Sequence, residues 1–150
     1  EERSCSANYR SFDQLLKESD FVSIHIPLTE ETYHLINVNT IAKMKKSSFL
    51  ISTARGPIVD EGALFEALKK RRIAGAALDV FEMEPLPADS PLLSLNNILL
   101  TPHIGSAAEG ARYKMGEVAA KNLANILLGK KPLHLVNRDY LKHGKSAKFS

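Results

Sequence analysis

Short apolar runs alternate along this chain with segments whose apolar residues recur at helical spacing. The run FVSIHI (21–26) stops at Pro27, and comparable runs lie at 49–52, 76–80 and 97–100. Runs of this length bounded by turn residues predict buried strands. Between them the pattern changes period. Ser11 followed by Gln14 has the spacing of a capping box before a short helix, and 38–46 reads as a second helix. Asp60 can cap a third, in which Leu64, Phe65 and Leu68 share a face and Lys69, Lys70, Arg71 and Arg72 complement the dipole at its end. Ser106 and Glu109 predict a further capping box at the start of the longest helix, with Met115, Val118, Ala119, Leu123, Ile126 and Leu127 on its apolar side. Gly129 and Pro132 are placed to stop it.

Strands that are apolar throughout, each followed by a helix, indicate an α/β fold: a parallel sheet with helices on both faces. Ligands of such sheets sit at the carboxyl ends of the strands. Three stretches of unusual chemistry fall there: STARGPIVDEG (52–62), ALDVFEMEP (77–85) and TPHIG (101–105). Topology therefore brings Arg55, Asp79, Glu84 and His103 to one edge.

Composition narrows the classes of function. With 150 residues, 44% of them hydrophobic and 25% charged, the chain can bury one core. Its net charge is only +3, and much of the excess lies in Arg138, Lys142, Lys145 and Lys148 near the end, so no nucleic-acid surface is expected. Cys5 is the sole cysteine, which excludes an internal disulfide and any multi-cysteine metal site; it is read as a reduced thiol, and no metal is assigned. No apolar run has the length of a membrane span, and EERSC at the start lacks the basic and apolar regions of a signal peptide. The expectation is a cytoplasmic protein with no membrane partner.

The three stretches carry the tools for acting on a small 2-oxo acid. A guanidinium meets a carboxylate through two parallel hydrogen bonds and stays charged at every working pH, which fits Arg55. A lone loop arginine more often pairs with a surface carboxylate; here the strand-to-helix turn around Gly56 and Pro57 favours function. An imidazole exchanges protons near neutrality, and His103 has Pro102 and Gly105 fixing its turn and a carboxylate candidate on the same edge. Either Glu82 or Glu84 could be that carboxylate, and Pro85 restrains Glu84 more firmly. Asp79 closes a buried strand and needs a backbone or ligand amide as donor; a purely structural bond would satisfy it equally.

Taken together these stretches resemble the signatures of the D-isomer-specific 2-hydroxyacid dehydrogenases, from about Phe12 to Asn137. The resemblance implies a Rossmann-type sheet in which Arg55 binds the substrate carboxylate and carbonyl, His103 is the acid and base, and Glu84 pairs with it. It further implies NAD or NADP as cofactor, lying along Ile26, Pro27, Thr53, Ala54, Arg55, Asp79, His103 and Gly105. ETYHLIN, TPHIGSA and LVNRDYL look most like the glyoxylate and hydroxypyruvate reductase branch, whereas formate dehydrogenases carry Gln at the place of Glu84. A homodimer is the implied assembly. The chain departs from the family pattern in one respect: no GxGxxG turn follows a strand. It therefore reads as an incomplete cofactor domain over 1–137 with a tail at 138–150, without its first βαβ part or a substrate domain, and is expected to be inactive and to bind dinucleotide poorly by itself. A dinucleotide-sensing corepressor of the C-terminal-binding-protein type, or an inert truncated fragment, stands as the alternative.

Overall fold

All four predicted strands form. The computed structural model describes residues 7–137, in which β1 (Phe21–Ile24), β2 (Phe49–Ser52), β3 (Gly75–Leu78) and β4 (Ile98–Leu100) make one sheet in the order β1-β2-β3-β4. Every neighbouring pair is parallel, with Phe21 opposite Phe49, Phe49 opposite Gly75 and Ala76 opposite Ile98. This is the Rossmann-type parallel sheet that the resemblance implies. The chain divides into two compact units, Glu1–Gly105 and Ser106–Ser150. The sheet belongs to the first. Cys5 and the basic residues from Arg138 onward lie outside the described residues.

Consecutive strands laid side by side in one direction, joined by right-handed crossovers, put their connecting helices on a single face. The first unit obeys this rule. Helices α1 (Phe12–Glu18), α2 (Val38–Ile41) and α3 (Glu61–Lys69) contribute Leu16, Ile41, Leu64 and Leu68 to the core, which also takes Val22, Ile24, Leu50, Ala76 and Leu78 from the sheet. The alternate strand residues Phe21, Phe49 and Leu99 are exposed, and the Phe21 and Phe49 rings stack at 5.5 Å. The crossovers of this unit thus cover one face of the sheet.

Local signals explain most boundaries. Ser11 accepts the Gln14 amide while the Gln14 side chain accepts the Ser11 amide, the predicted capping box of α1. Asp60 caps α3 by accepting from the Ala63 amide at 2.8 Å. The second helix is shorter than the predicted 38–46. The Arg72 guanidinium takes the Ala42 and Met44 carbonyls as acceptors, and the Lys43 and Met44 amides turn to the tighter carbonyls of Thr40 and Ile41. A distant arginine, invisible to local periodicity, thus occupies carbonyls that a longer helix would have used. β1 stops at Ile24 because its pairing with β2 ends at Ser52, and His25 and Ile26 then leave the sheet.

In the second unit, α4 (Glu109–Leu127) forms without the predicted capping box: its N-cap is Ala108, and no side chain caps it. Glu117 pairs with Lys114 and Lys121 along one side of α4 at 2.9 and 2.5 Å. The predicted stop holds. Gly129 adopts φ 67°, and the amides of Gly129 and Lys130 return to the carbonyls of Ile126 and Asn125.

Candidate active site

The loop after β4 is built around Asp79. This carboxylate, 6% exposed, accepts from the Thr101 hydroxyl at 2.5 Å and the Ile104 amide at 2.9 Å through Oδ1, and from the Gly105 amide at 2.8 Å through Oδ2. The Thr101 hydroxyl foremost, then the two amides, hold the Asp79 carboxyl below its usual range against the opposing effect of burial. A Cβ on residue 105 would come within 3.0 Å of Asp79 Oδ2, so glycine lets the loop close on the carboxylate. Between these anchors His103 adopts φ 51°, a left-handed conformation that costs a side-chain-bearing residue about 1–2 kcal/mol. The pinned loop holds it there.

Asp79→Asn presents an NH₂ group to at least one of these donors, and loss of one charge-assisted bond costs about 1.5–3 kcal/mol. Because the folded carboxyl titrates low, its stabilisation is full above the ordinary carboxylate range and disappears as pH falls through the lowered value. Urea denaturation at a series of pH values is expected to show both the loss at neutral pH and a flatter acid limb in the variant.

His103 meets Glu84 as the ALDVFEMEP and TPHIG stretches suggested. Its Nδ1 lies 2.7 Å from Glu84 Oε2, while Glu84 Oε1 accepts the Phe81 amide at 3.0 Å. The His103 bond first, and the Phe81 amide next, keep the Glu84 carboxyl below its usual range, and the Arg55 charge acts in the same direction. An ionised carboxylate can only accept, so Nδ1 carries a hydrogen and Nε2 is the ring nitrogen with no protein partner among the described residues. Of the two glutamates, Glu84 is the one in contact with His103. Glu82 turns to a different histidine, His34, whose Nε2 lies 3.1 Å from Glu82 Oε1.

Arg55 caps the turn Gly56–Ile58 and donates to the Ala54 carbonyl at 2.7 Å; among the described residues it enters no ion pair. A Cβ on residue 56 would lie 1.9 Å from the Phe81 carbonyl carbon and oxygen, so only glycine allows this turn to rest on the backbone leading to Glu84. A groove of about 610 Å³ at the ends of β1 and β2 is lined by Ile26, Pro27, Thr53, Ala54 and Arg55, together with His25. A second of about 510 Å³ is lined by Glu84, Thr101 and His103. The nine residues singled out by sequence thus fall into one groove, a second groove and the Asp79–Gly105 anchor at its base. Thr101 was not singled out by sequence, since its hydroxyl acts through a bond to Asp79, distant in sequence. A larger groove of about 760 Å³ between α2 and α3 contains none of the nine.

The first groove sets apolar Ile26, Pro27, Leu28 and Ala54 beside polar His25, Thr53 and Arg55 at the strand ends, a mixed lining that suits a flat ring bearing an amide, such as a nicotinamide. Known proteins resemble this chain over most of its length. Residues 1–105 match the family described as D-isomer specific 2-hydroxyacid dehydrogenase, NAD binding domain. A glyoxylate reductase of Thermofilum pendens is 57% identical over 134 residues, 89% of this chain and 40% of the relative. A glyoxylate/hydroxypyruvate reductase B of Serratia proteamaculans is 51% identical over 141 residues, 94% of this chain and 43% of the relative. Among solved structures, the NAD-complexed D-isomer specific 2-hydroxyacid dehydrogenase of Lactobacillus delbrueckii ssp. bulgaricus superposes with a TM-score of 0.81 at 34% identity, covering 90% of this chain and 45% of that one. The chain therefore spans less than half the length of each of these three relatives. The parallel sheet and the family match fall on the same residues, and this chain is a member of the D-isomer specific 2-hydroxyacid dehydrogenases, within their NAD-binding domain.

Proposed function

We propose that this chain carries the cofactor-side catalytic groups of a reductase that converts a small 2-oxo acid, of the glyoxylate or hydroxypyruvate type, to a D-2-hydroxy acid. The observation that carries the reading is the His103–Glu84 contact of 2.7 Å, which leaves Nε2 able to deliver a proton. Ile26, Pro27, Thr53, Ala54 and Arg55, with Asp79, His103 and Gly105 at the neighbouring loop, would hold NADH or NADPH, whose reduced ring would supply the hydride to the carbonyl carbon. Arg55 grips the substrate carboxylate through its guanidinium and polarises the adjacent carbonyl. As charge develops on the carbonyl oxygen, His103 Nε2 donates its proton there. Glu84 fixes the ring through Nδ1 and sets a negative charge beside it. We assign residues 1–137 to the dinucleotide-binding domain and 138–150 to a tail. The lone Cys5 suits a reducing compartment such as the cytoplasm, and the homodimer rests on family resemblance.

Glu84→Gln tests the pairing. A neutral amide can still accept from Nδ1 but makes no charge-assisted bond to the ring, a loss of about 1.5–3 kcal/mol, so the rate of 2-oxo acid reduction is expected to fall by at least about tenfold. Steady-state kinetics on the gene product carrying this chain read the loss. The same loss in Glu82→Gln, with Glu84→Gln unaffected, would assign the partner role to the other glutamate.

A further inference from the structure

Behind Arg55 lies a cluster that the proposed reaction does not use. Glu61, at the start of α3, accepts the Glu82 amide on Oε1 at 2.7 Å, and Glu82 accepts the Glu61 amide on its own Oε1 at 3.0 Å. The same Glu82 oxygen takes His34 Nε2 at 3.1 Å. His34 has φ 47°; its amide donates to the Pro57 carbonyl at 2.8 Å, its carbonyl accepts from Asn37 Nδ2 at 2.9 Å, and its ring stacks on Tyr33 at 4.1 Å. Three segments meet here: the loop carrying His34, the Arg55 turn running through Gly56 and Pro57 into α3, and the loop from Phe81 to Glu84.

Two carboxylates side by side repel, and burial together with the Glu82 charge pushes the Glu61 carboxyl up. Such an arrangement is retained at an electrostatic cost, offset by two reciprocal amide bonds and a histidine. Its location gives the cost a use. Glu82 is two residues from Glu84, and Gly56 follows Arg55 directly while resting on Phe81. We propose that Glu61, Glu82 and His34 form a clasp that keeps the Arg55 turn in register with the Glu84–His103 pair, making them positioning residues for the oxo acid. The clasp rests on the reading of Arg55 and His103 given above. Its three residues neither line the groove of Ile26, Pro27, Thr53 and Ala54 nor touch the reacting atoms, so its loss acts through the placement of Arg55, and chiefly on substrate affinity.

In the gene product carrying this chain, Glu82→Ala is expected to raise the KM for glyoxylate roughly three- to tenfold, the range for losing a hydrogen bond, with a smaller change in the dissociation constant for NADH or NADPH. Glu82→Gln, which keeps an acceptor for the Glu61 amide, recovers most of the affinity. Combined with Arg55→Lys, Glu82→Ala adds little further, because both act on one contact. An unchanged KM in Glu82→Ala, or full additivity with Arg55→Lys, overturns the clasp. Amide hydrogen exchange on the unaltered protein gives a readout independent of turnover: slow, concerted exchange at Glu61 and Glu82 is expected, and fast exchange at either amide overturns the clasp even where Glu82→Ala does not fold. A wild-type protein that reduces no 2-oxo acid defeats the functional reading, and exchange still decides whether the clasp exists.

Discussion

His103→Asn is expected to lower kcat for 2-oxo acid reduction by roughly 10²- to 10⁴-fold, the usual contribution of a positioned general acid. Asparagine can keep a hydrogen bond to Glu84 in place of Nδ1 but has no titrating group where Nε2 stands. The loop conformation itself depends on Asp79, whose three bonds go to Thr101, Ile104 and Gly105 and not to the imidazole. The variant is therefore expected to fold and to bind the dinucleotide with nearly wild-type affinity. Steady-state kinetics beside a direct binding titration separates the two effects. Near-wild-type turnover in a folded variant would make His103 a structural loop residue.

Arg55→Lys is expected to lower kcat/KM by at least about tenfold, since one lost charge-assisted bond is worth about 1.5–3 kcal/mol. Lysine keeps the positive charge that helps hold Glu84 ionised, and the Gly56 turn beside Phe81 is unaltered. The loss then reports the missing two-pronged contact with a carboxylate. Comparing a 2-oxo acid with its amide sharpens the reading. The amide offers no carboxylate to the guanidinium, so the wild-type and Arg55→Lys proteins are expected to differ little in their rates on it. Kinetics on the acid that do not change with the substitution would remove Arg55 from substrate binding.

Much of this site was legible because the chemistry sits where local signals are strongest. Asp60 marks the start of α3, and the strand ends carry Arg55 and His103. What failed to show locally depends on bonds between distant residues. Arg72, in the turn after α3, takes the carbonyls that follow α2, and Ala108 rather than Ser106 begins α4. The two glutamates of EMEP could be ranked through Pro85, but their separate partners, His103 and His34, required the packed loops. Asp79 was recognisable as a buried carboxylate in need of donors, whereas the identity of those donors depended on the turn that gives His103 its positive φ. The apolar strands suggested two covered faces; the direction in which this sheet winds explains why the crossovers of the first unit occupy one.

The most direct measurement is loss of NADH or NADPH absorbance when the gene product carrying this chain is offered glyoxylate, hydroxypyruvate and other small 2-oxo acids, with His103→Asn run in parallel. Oxidation of the reduced dinucleotide by at least one 2-oxo acid, yielding the D-2-hydroxy acid and falling by roughly 10² or more in the variant, is the predicted result. Tight dinucleotide binding without turnover of any 2-oxo acid, or equal turnover by both proteins, would contradict a catalytic site built on Arg55, Glu84 and His103.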